Sequence, residues 1–234
     1  MRVIAPREGE VIGDAPDRRV EMLSDVDPLH ATWSRFGPWR DGANLHIHHH
    51  HSDLFFVLRG ELAVRLGPDG AETAAPAGTL VRIPPLVVHG FRNGSAAEVR
   101  YLNLHAPGHG FADYMRGLSD FDQADPPADG GRPASQARVT GGDGVLCDAD
   151  EIGIAVLTGA SELTHVHREH VRSLYVLDGE LTLTAAGREI AAAAGTWLQV
   201  PAGLPHAVSG AGRYLDVHTP GFGVGARDAH PRPT

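Results

Sequence analysis

Fifteen of the 234 residues are histidine, and several stand where chemistry can use them. His46 and His48 flank Ile47. On a strand, alternate side chains share a face, so both imidazoles point the same way. Asp53 follows and opens an apolar run, Leu54-Phe-Phe-Val-Leu58; His89 comes later, just past Pro84. A barrel of strands brings two neighbouring histidines, a carboxylate and a distant histidine to one interior point. Neutral imidazoles with a carboxylate suit Fe, Mn, Ni, Zn, Cu or Co. The spacing recurs as His165, His167 and His206. There Arg172 stands where the first set has Asp53, and a cation beside three imidazoles disfavours metal by Coulomb repulsion, unless it holds an anion or a partner carboxylate instead. The first set is therefore read as the metal site and the second as weakened. His49, His50 and His51 extend the run. They are read as exposed turn residues, with His50 the best alternative ligand. His105 and His218, before Pro-Gly in each half, are read as hydrogen-bonded strand-end histidines.

Composition narrows the remaining chemistry. All 20 basic residues are arginine, so Schiff-base catalysis and a phosphate-loop lysine are excluded for this chain. Cys147 is the single cysteine, which excludes an intrachain disulfide and a Cys-rich zinc site, and is read as an inert thiol. A net charge of −9 argues against nucleic acid or an anionic membrane as partner. The N-terminal residues lack the apolar core of a signal peptide, and no run approaches a membrane span, so a cytoplasmic protein is expected.

The elements that must position these groups come from an internal repeat. Phe56-Val-Leu-Arg-Gly-Glu-Leu62 matches Tyr175-Val-Leu-Asp-Gly-Glu-Leu181. His46-Ile-His48 matches His165-Val-His167, Gly78 through His89 matches Gly195 through His206, and Arg100 through Gly108 matches Arg213 through Gly221. Four blocks in one order mean two copies of one domain. Each copy reads as short strands: Glu180-Leu-Thr-Leu-Thr184 alternates strictly, and Gly67-Pro-Asp-Gly70 and Ala186-Gly187 are hairpin signals. Gly and Pro are abundant and helical periods scarce, so the fold class is all-β, with two tandem barrels. The expected organisation is an N-terminal barrel over 1–110, a linker with a short helix near Phe111–Leu118 over 111–140, a C-terminal barrel over 141–225 and a tail over 226–234. Trp33, Trp39, Phe55, Phe56 and Phe91 are read as packing residues.

The blocks resemble the cupin superfamily. Its first motif appears as His46-x-His48-x4-Asp53-x6-Gly60 and again as Gly159-x5-His165-x-His167-x4-Arg172-x6-Gly179. The second appears as Gly78-x5-Pro84-x-Leu86-x2-His89-x3-Asn93 and as Gly195-x5-Pro201-x-Gly203-x2-His206-x3-Gly210. The chain departs from the pattern at Asp53, where the family has Glu, at Arg40, where it has the leading Gly, and at Arg172. The resemblance implies a bicupin of two double-stranded β-helix (jelly-roll) barrels, whose halves pack as a pseudo-dimer and leave a further homodimer open. It implies one divalent transition metal ion per chain at His46, His48, Asp53 and His89, and a second, weaker site at His165, His167 and His206.

Leu104-His-Ala-Pro-Gly-His-Gly-Phe111 looks like the segment after the barrel in quercetinase-like cupins. That likeness implies a metal-dependent dioxygenase acting on a small aromatic or enolic substrate, with Asp53 as the catalytic base. Two alternatives stay open: non-oxidative chemistry (sugar isomerisation, epimerisation or decarboxylation), and a non-catalytic small-molecule-binding cupin.

Overall fold

A computed structural model describes residues 1–221; the tail read over 226–234 lies outside the described residues. The chain forms two compact units, one over Gly9–Gly141 and one from Gly142 onward joined by Met1–Glu8. The opening strand β1 (Arg2–Ile4) pairs antiparallel with Trp197–Val200, which ties the first eight residues to the second unit. The sequence reading had run the first half from residue 1.

The first unit contains β2 (Glu10–Ala15), β3 (Arg18–Val26), β4 (Leu29–Phe36), β5 (Ser52–Arg59), β6 (Glu61–Leu66), β7 (Ala71–Pro76), β8 (Thr79–Ile83), β9 (His89–Arg92), β10 (Val99–Ala106) and β11 (Arg138–Gly141). A seven-stranded sheet runs β11-β8-β5-β10-β4-β3-β2 and a three-stranded sheet runs β7-β6-β9. Their apolar faces share one core: Phe55 and Val57 from β5 and Tyr101 from β10 meet Leu62 and Val64 from β6 and Ala75 from β7. Strand periodicity makes the consequence specific. Asp53 shares the face of Phe55 and Val57, so β5 aims a carboxylate into the barrel.

The second unit contains β12 (Gly144–Asp148), β13 (Gly153–Ser161), β14 (Val171–Asp178), β15 (Glu180–Ala185), β16 (Arg188–Ala193), β17 (Trp197–Val200) and β18 (His206–Thr219). β18 pairs with β15 along its first part and with β13 and β14 along its second, closing the barrel over Leu174, Val176, Leu183, Leu198, Val208 and Tyr214. Ala185 faces Arg188 across the β15–β16 hairpin. The two loop residues, Ala186 and Gly187, have φ of 50° and 71°, the left-handed pair a two-residue hairpin demands.

The helix α1 (Phe111–Met115) is shorter than the Phe111–Leu118 reading, because Gly117 turns left-handed at φ 73° directly after it. The segment read as a linker is bound to the first unit. Ile47 pairs with Ala124 through backbone hydrogen bonds of 2.9 and 3.0 Å, and Arg132 N–H donates to Leu86 O. Phe55 and Phe56 are fully buried as expected. Trp39 is not a packing residue: it is 64% exposed, at a left-handed turn with φ 56°. No helix among the described residues is long and apolar enough to cross a membrane.

Candidate metal centre

His46 and His48 lie on an irregular extended segment before β5, and His89 opens β9. Reciprocal backbone hydrogen bonds of 2.8 and 2.9 Å join His46 to His89, so two distant stretches deliver imidazoles to one point. Ring centroids are 4.2 Å apart for His46–His89, 4.7 Å for His46–His48 and 5.1 Å for His48–His89. All three rings and Asp53 are buried. One donor atom from each of His46, His48, Asp53 and His89 lies within 4.8 Å of the others.

Backbone carbonyls set the tautomers. Nδ1–H of His46 donates to Asn44 O at 2.7 Å, that of His89 to Val87 O at 2.9 Å, and that of His48 to Asp122 O. Every Nε2 is left as a lone pair turned to the middle. The Nε2 atoms of His46 and His48 are 3.2 Å apart. His89 Nε2 is buried without a hydrogen-bond partner, 3.3 Å from Asp53 Oδ2. Acceptors facing acceptors at these distances repel unless a cation lies among them. The donor set thus fits a divalent transition metal ion.

Protonation favours the same outcome. Burial, with the neighbouring His89 and His48, lowers the His46 pKa to about 3. Burial also lowers that of His48. Burial alone would raise the pKa of Asp53, but His105, His89 and His48 outweigh it and hold the carboxyl well below its usual range. The result is the neutral imidazoles of His46 and His48 beside an ionised carboxylate. Asn103 Nδ2 donates to Asp53 Oδ1 and to Leu54 O, which orients the carboxylate.

One histidine departs from the sequence reading, and a second keeps to it while joining the cluster. His51, expected on an exposed turn, is buried, with its ring centroid 4.2 Å from that of His48. The cause is Asp122, whose carboxylate accepts the backbone N–H groups of His49 and His50 and curls the turn so that His51 points inward. His105 is the hydrogen-bonded strand-end residue expected, near the end of β10 and opposite Asp53 in register; its Nε2 is 3.2 Å from Asn103 Oδ1, to which it donates, and 3.6 Å from Asp53 Oδ1. His48, His51 and His105 also place one donor atom each within 4.8 Å of one another. His49 and His50 stay exposed, and His50 belongs to none of these groups. Phe111 stacks on His105 at 3.8 Å, and Phe121 lies 5.2 Å from His48 and 5.0 Å from His51. The partnership of Asp122 and Phe121 with the histidines had no signal in local spacing, because some seventy residues separate them in the chain.

His46, His48 and Asp53 also line a cavity of about 250 Å³. Phe36, Phe91, Tyr101, Phe111, Tyr114 and Phe121 supply its aromatic walls. Arg18 and Arg40 line it as well.

The second barrel repeats the triangle. Ring centroids are 4.5 Å apart for His165–His206, 4.8 Å for His165–His167 and 5.2 Å for His167–His206. Arg172 is buried and not bare: Asp216 accepts from its Nε and Nη2 at 3.1 and 2.9 Å, and Glu162 from its Nη1 and Nη2 at 2.8 and 2.7 Å. Repulsion by an uncompensated cation is therefore not the obstacle the sequence suggested. The obstacle is local, because Arg172 Nη1 also reaches His206 Nε2 at 3.5 Å and competes for its lone pair.

A duplicated jelly-roll barrel with a buried histidine–carboxylate cluster in its first copy defines the class, a double β-barrel protein with a cluster able to hold a metal ion. The family described as Cupin domain matches residues 33–105 and 154–218, one segment in each half and together more than half of the sequence, and the chain belongs to that family. Among solved structures it is similar to protein Ylba from E. coli, with a TM-score of 0.68 and 13% identity over 93% of this chain and 89% of that one. It is similar to AerE from Microcystis aeruginosa (TM-score 0.64, 15% identity, 93% of this chain and 97% of that one). Bacillus subtilis oxalate decarboxylase OxdC matches with a TM-score of 0.64 and 13% identity over 95% of this chain and 78% of that one. These likenesses establish the fold. No curated protein matches the sequence.

Proposed function

We propose that the N-terminal barrel is the active site of a metal-dependent dioxygenase acting on a small aromatic or enolic substrate. The observation that carries this reading is the convergence of His46, His48, Asp53 and His89 on one point, three of them (His46, His48 and Asp53) on the wall of a cavity that Phe36, Phe91, Tyr101, Phe111, Tyr114 and Phe121 also line. His46, His48, Asp53 and His89 would hold a divalent ion, which would supply Lewis acidity toward a substrate hydroxyl and redox chemistry toward dioxygen. The residues of the chain do the rest. Phe91, Phe111 and Phe121 orient a flat ring and keep water away from it. When it stands off the ion, Asp53, steadied by Asn103, is the base for the proton that the substrate hydroxyl gives up. His51 and His105 enclose the carboxylate side of the cluster.

The test is oxygen uptake by protein loaded in turn with Fe, Mn, Ni, Co, Cu or Zn, across flavonols, catechols and diketones. Uptake with at least one pairing, abolished by His46→Ala with His89→Ala, is the expected result. Silence throughout while metal is bound overturns the proposal. Carbon dioxide release without oxygen uptake would replace it with a non-oxidative decarboxylation, the activity named for the similar Bacillus subtilis protein.

A further inference from the structure

We infer that Arg18 anchors an anionic group of the substrate, which makes that substrate a small aromatic or enolic acid, chelating at one end and charged at the other. This inference rests on the metal-centre reading above. Alternation along β3 divides its two arginines. Arg19 turns to one face, where it donates to Glu21 at 2.6 Å and Asp14 at 3.3 Å. Arg18 turns to the other with Val20, and both line the cavity that His46, His48 and Asp53 share. Arg18 makes no ion pair among the described residues, and its Nε is buried with no hydrogen-bond partner. The other arginine on the cavity wall has a carboxylate: Arg40 donates to Asp17 at 3.1 Å, as elsewhere Arg35 does to Glu98, Arg92 to Glu72 and Arg116 to Glu10 and Asp25. In a chain of net charge −9, an inward guanidinium left without a carboxylate is a vacancy for one from outside. Asp41, an exposed carboxylate on the same wall, forms no ion pair with it among the described residues.

Register gives the length of the ligand. Across the ladder Arg18 faces Phe36, and Asp53 faces His105, which faces His30. Phe36 and His30 are six positions apart on β4, roughly 20 Å of strand at 3.3 Å per residue. The long arginine arm and the histidine rings fill part of that span. A two-carbon dicarboxylate cannot touch both ends; an aromatic ring with a short acidic arm can. Tyr101 and Ser34, level with each other on β10 and β4, form the wall between.

The experiment is isothermal titration of zinc-loaded protein, in which no redox turnover occurs. The probes are protocatechuate, homoprotocatechuate and dihydrocaffeate, each against its own methyl ester, with oxalate as the short control. A guanidinium–carboxylate bond predicts that at least one acid binds roughly tenfold or more tighter than its ester. Arg18→Met should erase that preference and leave ester affinity unchanged; Arg18→Lys should keep part of it; oxalate should not respond to either change. Equal binding of acids and esters to the wild type, or a preference that survives Arg18→Met, overturns the inference. His46→Ala with His89→Ala should abolish binding of acids and esters alike. If binding ignores those histidines while the preference still needs Arg18, the metal-centre reading falls alone. If no probe binds zinc-loaded protein, both fall.

Discussion

Asp53 and Arg172 occupy the same point of the two barrels, each opposite the last histidine of the closing strand, His105 in one and His218 in the other. Around them the charges have changed places. In the first barrel the carboxylate is on β5 and the neutral amide of Asn103 on β10; in the second a guanidinium is on β14 and the carboxylate, Asp216, on β18. Asn103 and Asp216 are themselves equivalent, facing Phe55 and Leu174 in register. One duplicated scaffold therefore holds an open acidic cluster and a closed ion-pair network.

Arg172→Asp alone puts a third carboxylate beside Asp216 and Glu162, and loss of a buried partner of this kind costs about 3–5 kcal/mol. Adding Asp216→Asn recreates the arrangement of Asp53 and Asn103 and should restore a substantial part of that loss. Urea unfolding midpoints measure both. A double variant no more stable than the single one would show that the exchange is not energetically coupled.

Metal titration should find one tightly held ion per chain and a weaker second one. His89 Nε2 faces a carboxylate at 3.3 Å, whereas His206 Nε2 faces an arginine nitrogen at 3.5 Å. His48→Ala should remove the tight ion and His167→Ala should not. Arg172→Leu frees the His206 lone pair and leaves Glu162 and Asp216 anionic beside it, so second-site affinity should rise while the metal-free protein loses stability. Two ions of equal affinity in the wild type would contradict this ordering.

The repeat, the hairpin turns and the convergence of His46, His48, Asp53 and His89 were legible because each depends on spacing within one stretch or on matching blocks. His46 and His48 alternate around Ile47, and Asp53 keeps the phase of Phe55 and Val57. What was not legible comes from contacts between distant stretches. His51 looked like one more turn histidine because the residue that turns it inward, Asp122, sits in an acidic, Pro-rich segment that reads as a linker. A carboxylate partner for Arg172 was an open alternative, but its identity was not legible because Glu162 and Asp216 meet it only when β13, β14 and β18 assemble.

Asp122→Ala tests how far that segment supports the cluster. The carboxylate accepts the N–H groups of His49 and His50, and the backbone carbonyl of the same residue accepts from His48 Nδ1. Losing a partner that orients a ligand costs about 10–100-fold in metal affinity. A loss in that range, measured against a competing chelator, with only a small fall in melting temperature, is expected. Unchanged affinity would mean that the His48 ring is held without this segment.

Acid should weaken the metal-free protein, and the sign follows from the buried rings. Burial, aided by neighbouring histidines, lowers the pKa of His46 and His51 from 6.5 to about 3. Between those values the unfolded chain takes up protons that the folded chain refuses, so stability rises with pH across the window and is lost as pH falls through it. Each such histidine contributes up to ~1.4 kcal/mol per pH unit. Asp53, held below its usual range, adds a loss in the same direction at still lower pH. The melting temperature of metal-free protein should fall from pH 7 to pH 5, and His51→Gln should flatten that slope, since a glutamine does not titrate. The rings of His46 and His51 stay neutral in the folded protein at both pH values, so a bound cation should raise the melting temperature at pH 5 as well as at pH 7. A flat profile without metal would mean that water reaches these rings and that their lone pairs are already satisfied.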